Sequence, residues 1–203
     1  MVDVAFYYDF GSPNAYLVHC VLPELKARTG VKFRYVPILL GGLFKLTGNQ
    51  APGLAFAHIK GKLAYEQLEF NRFCQRHGIA FTMNPHFPVN TLNLMRGAIA
   101  AKQLGCGEDY IQSIFLAMWQ EPRNMADPEI FAATLKTARL PADAILAAIA
   151  ESSVKAQLQH NTEEAARLGM FGSPSFMVGD QLFFGKERLG QVEEEISRQL
   201  RKP

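Results

Sequence analysis

Residues that favour extended chain lie only at the two ends of this sequence, and a long stretch of helical periodicity separates them. Residues 2–8 (VDVAFYY) and 31–37 (VKFRYVP) are rich in β-branched and aromatic types and predict strands. Residues 12–29 lie between them and predict a helix. Strand, helix and strand over so short a span imply a right-handed βαβ unit with parallel strands. Near the other end, residues 175–178 (SFMV) and 181–184 (QLFF) predict two short strands joined by Gly179-Asp180, a favoured hairpin turn. Isolated strand pairs are marginal in water, so the two ends must meet in one mixed sheet.

From about residue 55 to 169 no convincing strand occurs. Ile59, Leu63, Phe70, Phe73 and Cys74 predict one apolar helix face, and Leu92, Met95 and Ile99 another. Helical segments follow at 108–120, 128–137, 141–150 and 152–168, separated by Pro, Gly and Asp. A closing helix spans about 187–201, with Leu189, Val192, Ile196 and Leu200 on one face. The expectation is an α/β chain in which residues 1–40 and 170–203 form one domain. A large all-helical insertion, residues 41–169, would hang over one edge of its sheet.

Composition narrows the partners. The net charge is +2 and no run of Lys or Arg forms a basic patch, which argues against nucleic acid and membrane surfaces. No apolar stretch approaches the roughly 20 residues of a membrane helix. The start, MVDVAFYYDF, lacks the basic region of a secretory signal. Cys20, Cys74 and Cys106 are odd in number and widely spaced, which fits free thiols in a reducing cytoplasm. The five His are scattered, none with a metal-ligand partner at helical spacing, so no metal site is expected.

The first strand-to-helix joint carries the chemistry. Ser12 suits an N-cap, Pro13 suits the first helical position, and Gly30 suits the stop. A helix N-terminus presents unpaired N–H groups and partial positive charge, and so favours an anion.

The order of elements resembles the thioredoxin fold with a helical insertion, as in bacterial disulfide oxidoreductases. The stretch "FGSPSFMVG" (171–179) is similar to the loop where such proteins place a cis-proline, here Pro174. Their helix begins with C-x-x-C, whereas this one begins Ser12-Pro13-Asn14-Ala15, with no sulfur for disulfide exchange. The chain resembles instead the 2-hydroxychromene-2-carboxylate isomerases and the kappa-class glutathione transferases. The resemblance rests on "YYDFGSPNAYL", "LLGGLFKLTGNQAPG" (39–53), "NPHFPVNTLNLMRG" (84–97) and "GMFGSPSFMVGDQLFFGKERL" (169–189), in that order along nearly the whole chain.

The resemblance implies glutathione as cofactor, held with its sulfur as thiolate at Ser12, the catalytic residue. The chain shows no His-Asp relay that would make Ser12 itself a nucleophile. It implies that Ser173, before cis Pro174, pairs its main chain with the cysteinyl backbone, a short β-augmentation. Gly185, Lys186 and Glu187 hold the γ-glutamyl end, in place of the small polar residue and Asp that relatives carry. The resemblance further implies that Asn49 contacts glutathione and that Lys45 steers a substrate carboxylate, with Lys60 and Lys62 as candidates for further anion contacts. His86 and Phe87 are candidate pocket residues, and Asn90 or Thr91 a candidate helix cap. Where the isomerases have an Asn-Arg pair, this chain reads Leu54-Ala55-Phe56.

Two activities follow from the resemblance. The isomerases interconvert 2-hydroxychromene-2-carboxylate and trans-o-hydroxybenzylidenepyruvate in aromatic degradation, a change that reversible thiolate addition would bring about. The transferases join glutathione to an electrophile. A non-catalytic thioredoxin-like binding module is the alternative of another class. The family members are commonly homodimers, which predicts a homodimer here.

Overall fold

The structure is a computed structural model and describes residues 2–201. In chain order the elements are β1 (Val4–Tyr8), α1 (Pro13–Thr29), β2 (Phe33–Pro37), α2 (Leu40–Thr47), α3 (Pro52–Ala55), α4 (Lys62–His77) and α5 (Leu92–Gln103). Then come α6 (Gly107–Trp119), α7 (Pro128–Thr137), α8 (Ala142–Ala148), α9 (Ser152–Arg167), β3 (Ser175–Val178), β4 (Gln181–Phe184), a 3₁₀ turn (Lys186–Arg188) and α10 (Leu189–Leu200).

The two ends do meet. The strands form one mixed sheet in the order β2-β1-β3-β4. β1 runs parallel to β2, with Val4 opposite Phe33 and Tyr8 opposite Pro37. It runs antiparallel to β3, with Val4 opposite Val178 and Tyr7 opposite Ser175. All five residues of β1 are buried, as expected of a central strand covered on both faces.

Alternation along β1 divides the core in two. Val4, Phe6 and Tyr8 join residues of α1, α10 and the insertion helices in the larger cluster. Ala5 and Tyr7 join Val36, Ile38, Leu43, Ala165 and Met170 in the smaller one. The insertion is therefore more than a cap on one edge of the sheet. Its helices α2 and α9 contribute to the core beneath the Ala5 and Tyr7 face, an apolar surface that water would otherwise reach. Polar ties fix that layer: Asn161 Nδ2 donates to Pro37 O (3.0 Å), and Leu39 N donates to Thr162 Oγ1 (3.0 Å). On the other face, Phe115 of α6 packs its ring 4.8 Å from that of Phe10 and 5.8 Å from that of Tyr8, so sheet and insertion share one core.

Helix α2 falls where the sequence predicts none. Gly41 and Gly42 weaken its intrinsic propensity. They also permit close packing: a Cβ on Gly42 would lie 3.4 Å from Thr162 Cγ2 of α9. Burial of Leu43 anchors the helix. The face predicted from Ile59 to Cys74 is only partly used. Phe70 is buried and Phe73 and Cys74 are half-buried, while Ile59 and Leu63 are each 43% exposed.

Candidate active site

β1 delivers the chain to a tight joint before α1. Ser12 has extended backbone (φ −98°, ψ 110°) and caps the helix, accepting from Ala15 N at 3.2 Å, with Pro13 in the first turn. Its hydroxyl donates to Ser173 O at 2.8 Å. The Ser173-Pro174 bond is cis, and the buried Pro174 accepts from Gly185 N at 3.0 Å through its carbonyl. The two motif loops, 161 positions apart between Ser12 and Ser173, thus touch through the Ser12 hydroxyl, and the Ser173 hydroxyl adds a contact in return, accepting from Asp9 N at 3.3 Å. Around this contact the backbone N–H groups of Asn14 and Ser173 have no hydrogen-bond partner among the described residues. Asn14 Oδ1 is buried without a partner as well. Open N–H groups at a helix N-terminus can receive an anion such as a thiolate.

Beneath the joint lies Asp9, which the sequence reading missed. It is 1% exposed. Its Oδ1 accepts from Gly11 N (2.8 Å) and its Oδ2 from Leu40 N (2.7 Å). Burial raises its carboxyl above the usual 3.8, while hydrogen bonds from Leu40, Gly11 and the Thr91 side chain pull it back down. The one available signal was an acid at the end of an otherwise apolar strand.

The other predicted residues fall into two groups. Asn49 is exposed beyond α2, and its Nδ2 donates to Phe171 O at 2.7 Å, which ties the α2–α3 loop to the loop carrying Pro174. Lys45 is exposed in the last turn of α2. Gly185 has φ 96°, a left-handed conformation that suits glycine, and it places the 3₁₀ turn beside Pro174. Lys186 in that turn is 4% exposed, so it is neither solvated nor open. Its ammonium pairs with Glu187 and lies 5.3 Å and 5.7 Å from the ring centroids of Phe70 and Phe73 on α4. Glu187 is the exposed member of the pair.

The remaining candidates are set apart or engaged elsewhere. Lys62 pairs with Glu66 and lies over the Phe56 ring. Lys60 is exposed. His86 is exposed, and its backbone N–H donates to Asn84 Oδ1 at 2.9 Å. Phe87 packs on Trp119, which is fully buried and donates Nε1–H to Phe10 O at 2.8 Å. Asn90 rather than Thr91 accepts at the start of α5, from Leu92 N at 3.1 Å. All three cysteines are free thiols, each pushed up by burial.

Comparison with known proteins agrees with this fold. The profile of the DsbA-like thioredoxin domain matches residues 3–197. A 2-hydroxychromene-2-carboxylate isomerase from Sphingobium xenophagum is 26% identical over 190 residues, covering 94% of this chain and 95% of that protein. Human glutathione S-transferase kappa 1 is 26% identical over 204 residues, covering 92% and 87%. The solved structure of a 2-hydroxychromene-2-carboxylate isomerase superposes with a TM-score of 0.83 at 26% identity, covering 98% of this chain and 96% of that one. With the two ends joined in a thioredoxin-like sheet, a serine at the helix cap and a cis-proline facing it, the chain belongs to the DsbA-like thioredoxin domain family.

Proposed function

We propose that this protein is a glutathione-dependent isomerase that interconverts 2-hydroxychromene-2-carboxylate and trans-o-hydroxybenzylidenepyruvate. One observation carries the reading: the Ser12 hydroxyl caps α1 and lies 2.8 Å from the carbonyl that precedes cis Pro174, where no cysteine of this chain stands. The near full-length similarity to the Sphingobium isomerase supports it. The donor set fits glutathione. The open N–H of Asn14 and the Ser12 hydroxyl would hold a thiolate, and the unpaired N–H of Ser173 would hold a peptide backbone. The exposed Glu187 carboxylate would hold a γ-glutamyl ammonium. When bound, glutathione supplies a thiolate nucleophile that the protein itself lacks.

The chain's own residues then divide the work. Ser12 turns its hydrogen from Ser173 O toward the sulfur and, with the α1 N-terminus, holds it ionised. Ser173 aligns the cysteinyl backbone against the loop that cis Pro174 shapes. Gly185 and Glu187 fix the γ-glutamyl end, and Lys186 holds Glu187 in place through their ion pair. Asn49 closes the other side from its bond to Phe171 O. Lys45, exposed on α2, attracts the substrate carboxylate. In this division residues 1–40 and 170–203 hold the cofactor's sulfur, peptide and γ-glutamyl group, and residues 41–169 contribute Asn49 and Lys45. We place the protein in a reducing cytoplasm, as a homodimer acting in aromatic catabolism.

A kappa-type transferase is the second reading. Leu54 and Phe56 favour it, being 72% and 38% exposed apolar side chains where the isomerases carry a polar Asn-Arg pair. One assay separates the two. Incubation with glutathione and 2-hydroxychromene-2-carboxylate yields interconversion with glutathione undiminished if the first reading holds. Rapid conjugation to a chlorodinitrobenzene acceptor, with no isomerisation, would overturn it in favour of the second.

A further inference from the structure

Asp9 is a buried acid that no step above uses. No cation forms an ion pair with it among the described residues. A buried carboxylate without a counter-ion is retained only when hydrogen bonds satisfy it, and these come from distant segments. Gly11 N donates from the joint and Leu40 N from the first turn of α2, and the Thr91 side chain at the start of α5 helps to hold the carboxyl down. The Asp9 main chain adds two more ties: its carbonyl accepts from Ser12 N (2.9 Å), and its N–H donates to Ser173 Oγ (3.3 Å).

The caps of α2 and α5 show why the acid matters. Leu39 stands at the N-cap of α2 and has no side-chain group to cap it; Thr91 stands at the N-cap of α5 and makes no cap bond. Asp9 supplies the missing acceptor to α2 from 31 positions away. Its negative charge also complements the positive end of that helix. The pocket is filled by the carboxylate: a Cβ on Gly11 would lie 3.3 Å from Asp9 Oδ1 and 3.2 Å from Thr91 Cγ2. An asparagine cannot replace it, because its amide offers one acceptor oxygen to two N–H groups and turns a donor against the other.

We propose that Asp9 is the positioning residue of the sulfur site, clamping the Ser12 joint to the N-terminus of α2 and so fixing Ser12 relative to Lys45 and Asn49. The inference rests on the glutathione reading for its functional consequence, and on the geometry alone for the clamp. Asp9 touches no reactant and acts through Ser12 and α2.

Two measurements test the two layers separately. Amide hydrogen exchange without any ligand reads the clamp: in Asp9→Ala the Gly11 and Leu40 amides exchange about tenfold or more faster, because each loses a charged acceptor. Unchanged exchange at both amides would overturn the clamp, whatever the enzyme binds. Steady-state kinetics read the consequence: in Asp9→Asn, turnover falls about tenfold or more while KM for glutathione moves less than about threefold. Equal losses in both parameters would mark a merely structural acid and overturn the positioning role. Should the Asp9 variants fail to fold, Leu40→Pro removes the donor without breaking the helix, since Leu39 is already extended (φ −98°, ψ 108°) and the first helical position accepts proline. Leu40→Ala, which keeps the N–H, controls for the lost side chain. Leu40→Pro is expected to slow turnover at least about fivefold more than Leu40→Ala; equal rates would reject the clamp. Absence of glutathione binding by the wild-type protein defeats the functional reading instead, and leaves the exchange result to judge the clamp.

Discussion

A serine hydroxyl has one hydrogen to give, and in this fold Ser12 gives it to Ser173 O. A thiolate at the α1 N-terminus must win that hydrogen away, and the gain is a charge-assisted bond in place of a neutral one. Ser12→Ala removes the donor and the helix cap together. It is expected to lower turnover with glutathione about tenfold to hundredfold and to destabilise the fold by about 1 kcal/mol, read by steady-state kinetics and denaturant unfolding. Asn49→Ala breaks the tie to Phe171 O and is expected to raise KM for glutathione several-fold with little loss of stability, since Asn49 is exposed. Ser12 and Pro174 were legible because local rules single them out, a cap followed by proline and a loop of distinctive sequence. Asp9 was not, because its second donor, Leu40 N, comes from 31 positions away, and only the folded chain brings the two together. In sequence Lys186 reads only as a γ-glutamyl contact, and nothing there shows that two rings of α4 enclose it.

Elements were readable in proportion to their own punctuation. α7 begins with Asp127, whose carboxylate accepts from Glu129 N (2.8 Å), followed by Pro128, and its expected span of 128–137 matches the observed helix. α2 has no such cap, and its stability is tertiary. Two predictions belong to this scale. In α5, Gly97 faces α6 so closely that a Cβ would sit 2.1 Å from the Tyr110 hydroxyl, which donates to Leu94 O at 2.8 Å. Gly97→Ala is expected to destabilise by about 1–3 kcal/mol despite its better helix propensity, as calorimetric or denaturant unfolding would show. In α1, His19 contacts the Tyr35 hydroxyl of β2 through Nδ1 (2.9 Å) and Gln112 Oε1 of α6 through Nε2 (2.8 Å). Burial holds its imidazole below the usual 6.5, against the opposing pull of the Gln112 hydrogen bond. In the window between the lowered value and 6.5 the unfolded chain binds more protons than the folded one, so stability falls as pH falls. The contribution of neutral His19 is full above 6.5 and is lost as pH drops through its folded value. Unfolding free energies across that window are expected to slope downward toward acid, and His19→Gln is expected to flatten the slope.

At the scale of the molecule, the order of elements was enough to read a thioredoxin-like sheet closed by the two chain ends. The path of the insertion was not readable, because helical periodicity marks an apolar face without naming the surface it will cover. α9 covers the Ala5 and Tyr7 face through Ala165, which looks no different in sequence from an alanine facing other helices. That path has functional weight, since the insertion leaves the sheet at α2 and returns to it at the Pro174 loop. Lys45, Asn49, Ser12 and Ser173 thereby come from segments held on one scaffold. The central claim is that this scaffold holds a borrowed thiol as its anion. Its most direct test is a pH titration, by ultraviolet absorbance, of the thiol of glutathione bound to the wild-type protein and to Ser12→Ala. The account predicts that the bound thiol ionises well below the free-thiol value of about 8.5 and that the shift shrinks when Ser12 is removed. A bound thiol that titrates like free glutathione, or one indifferent to Ser12, would contradict it.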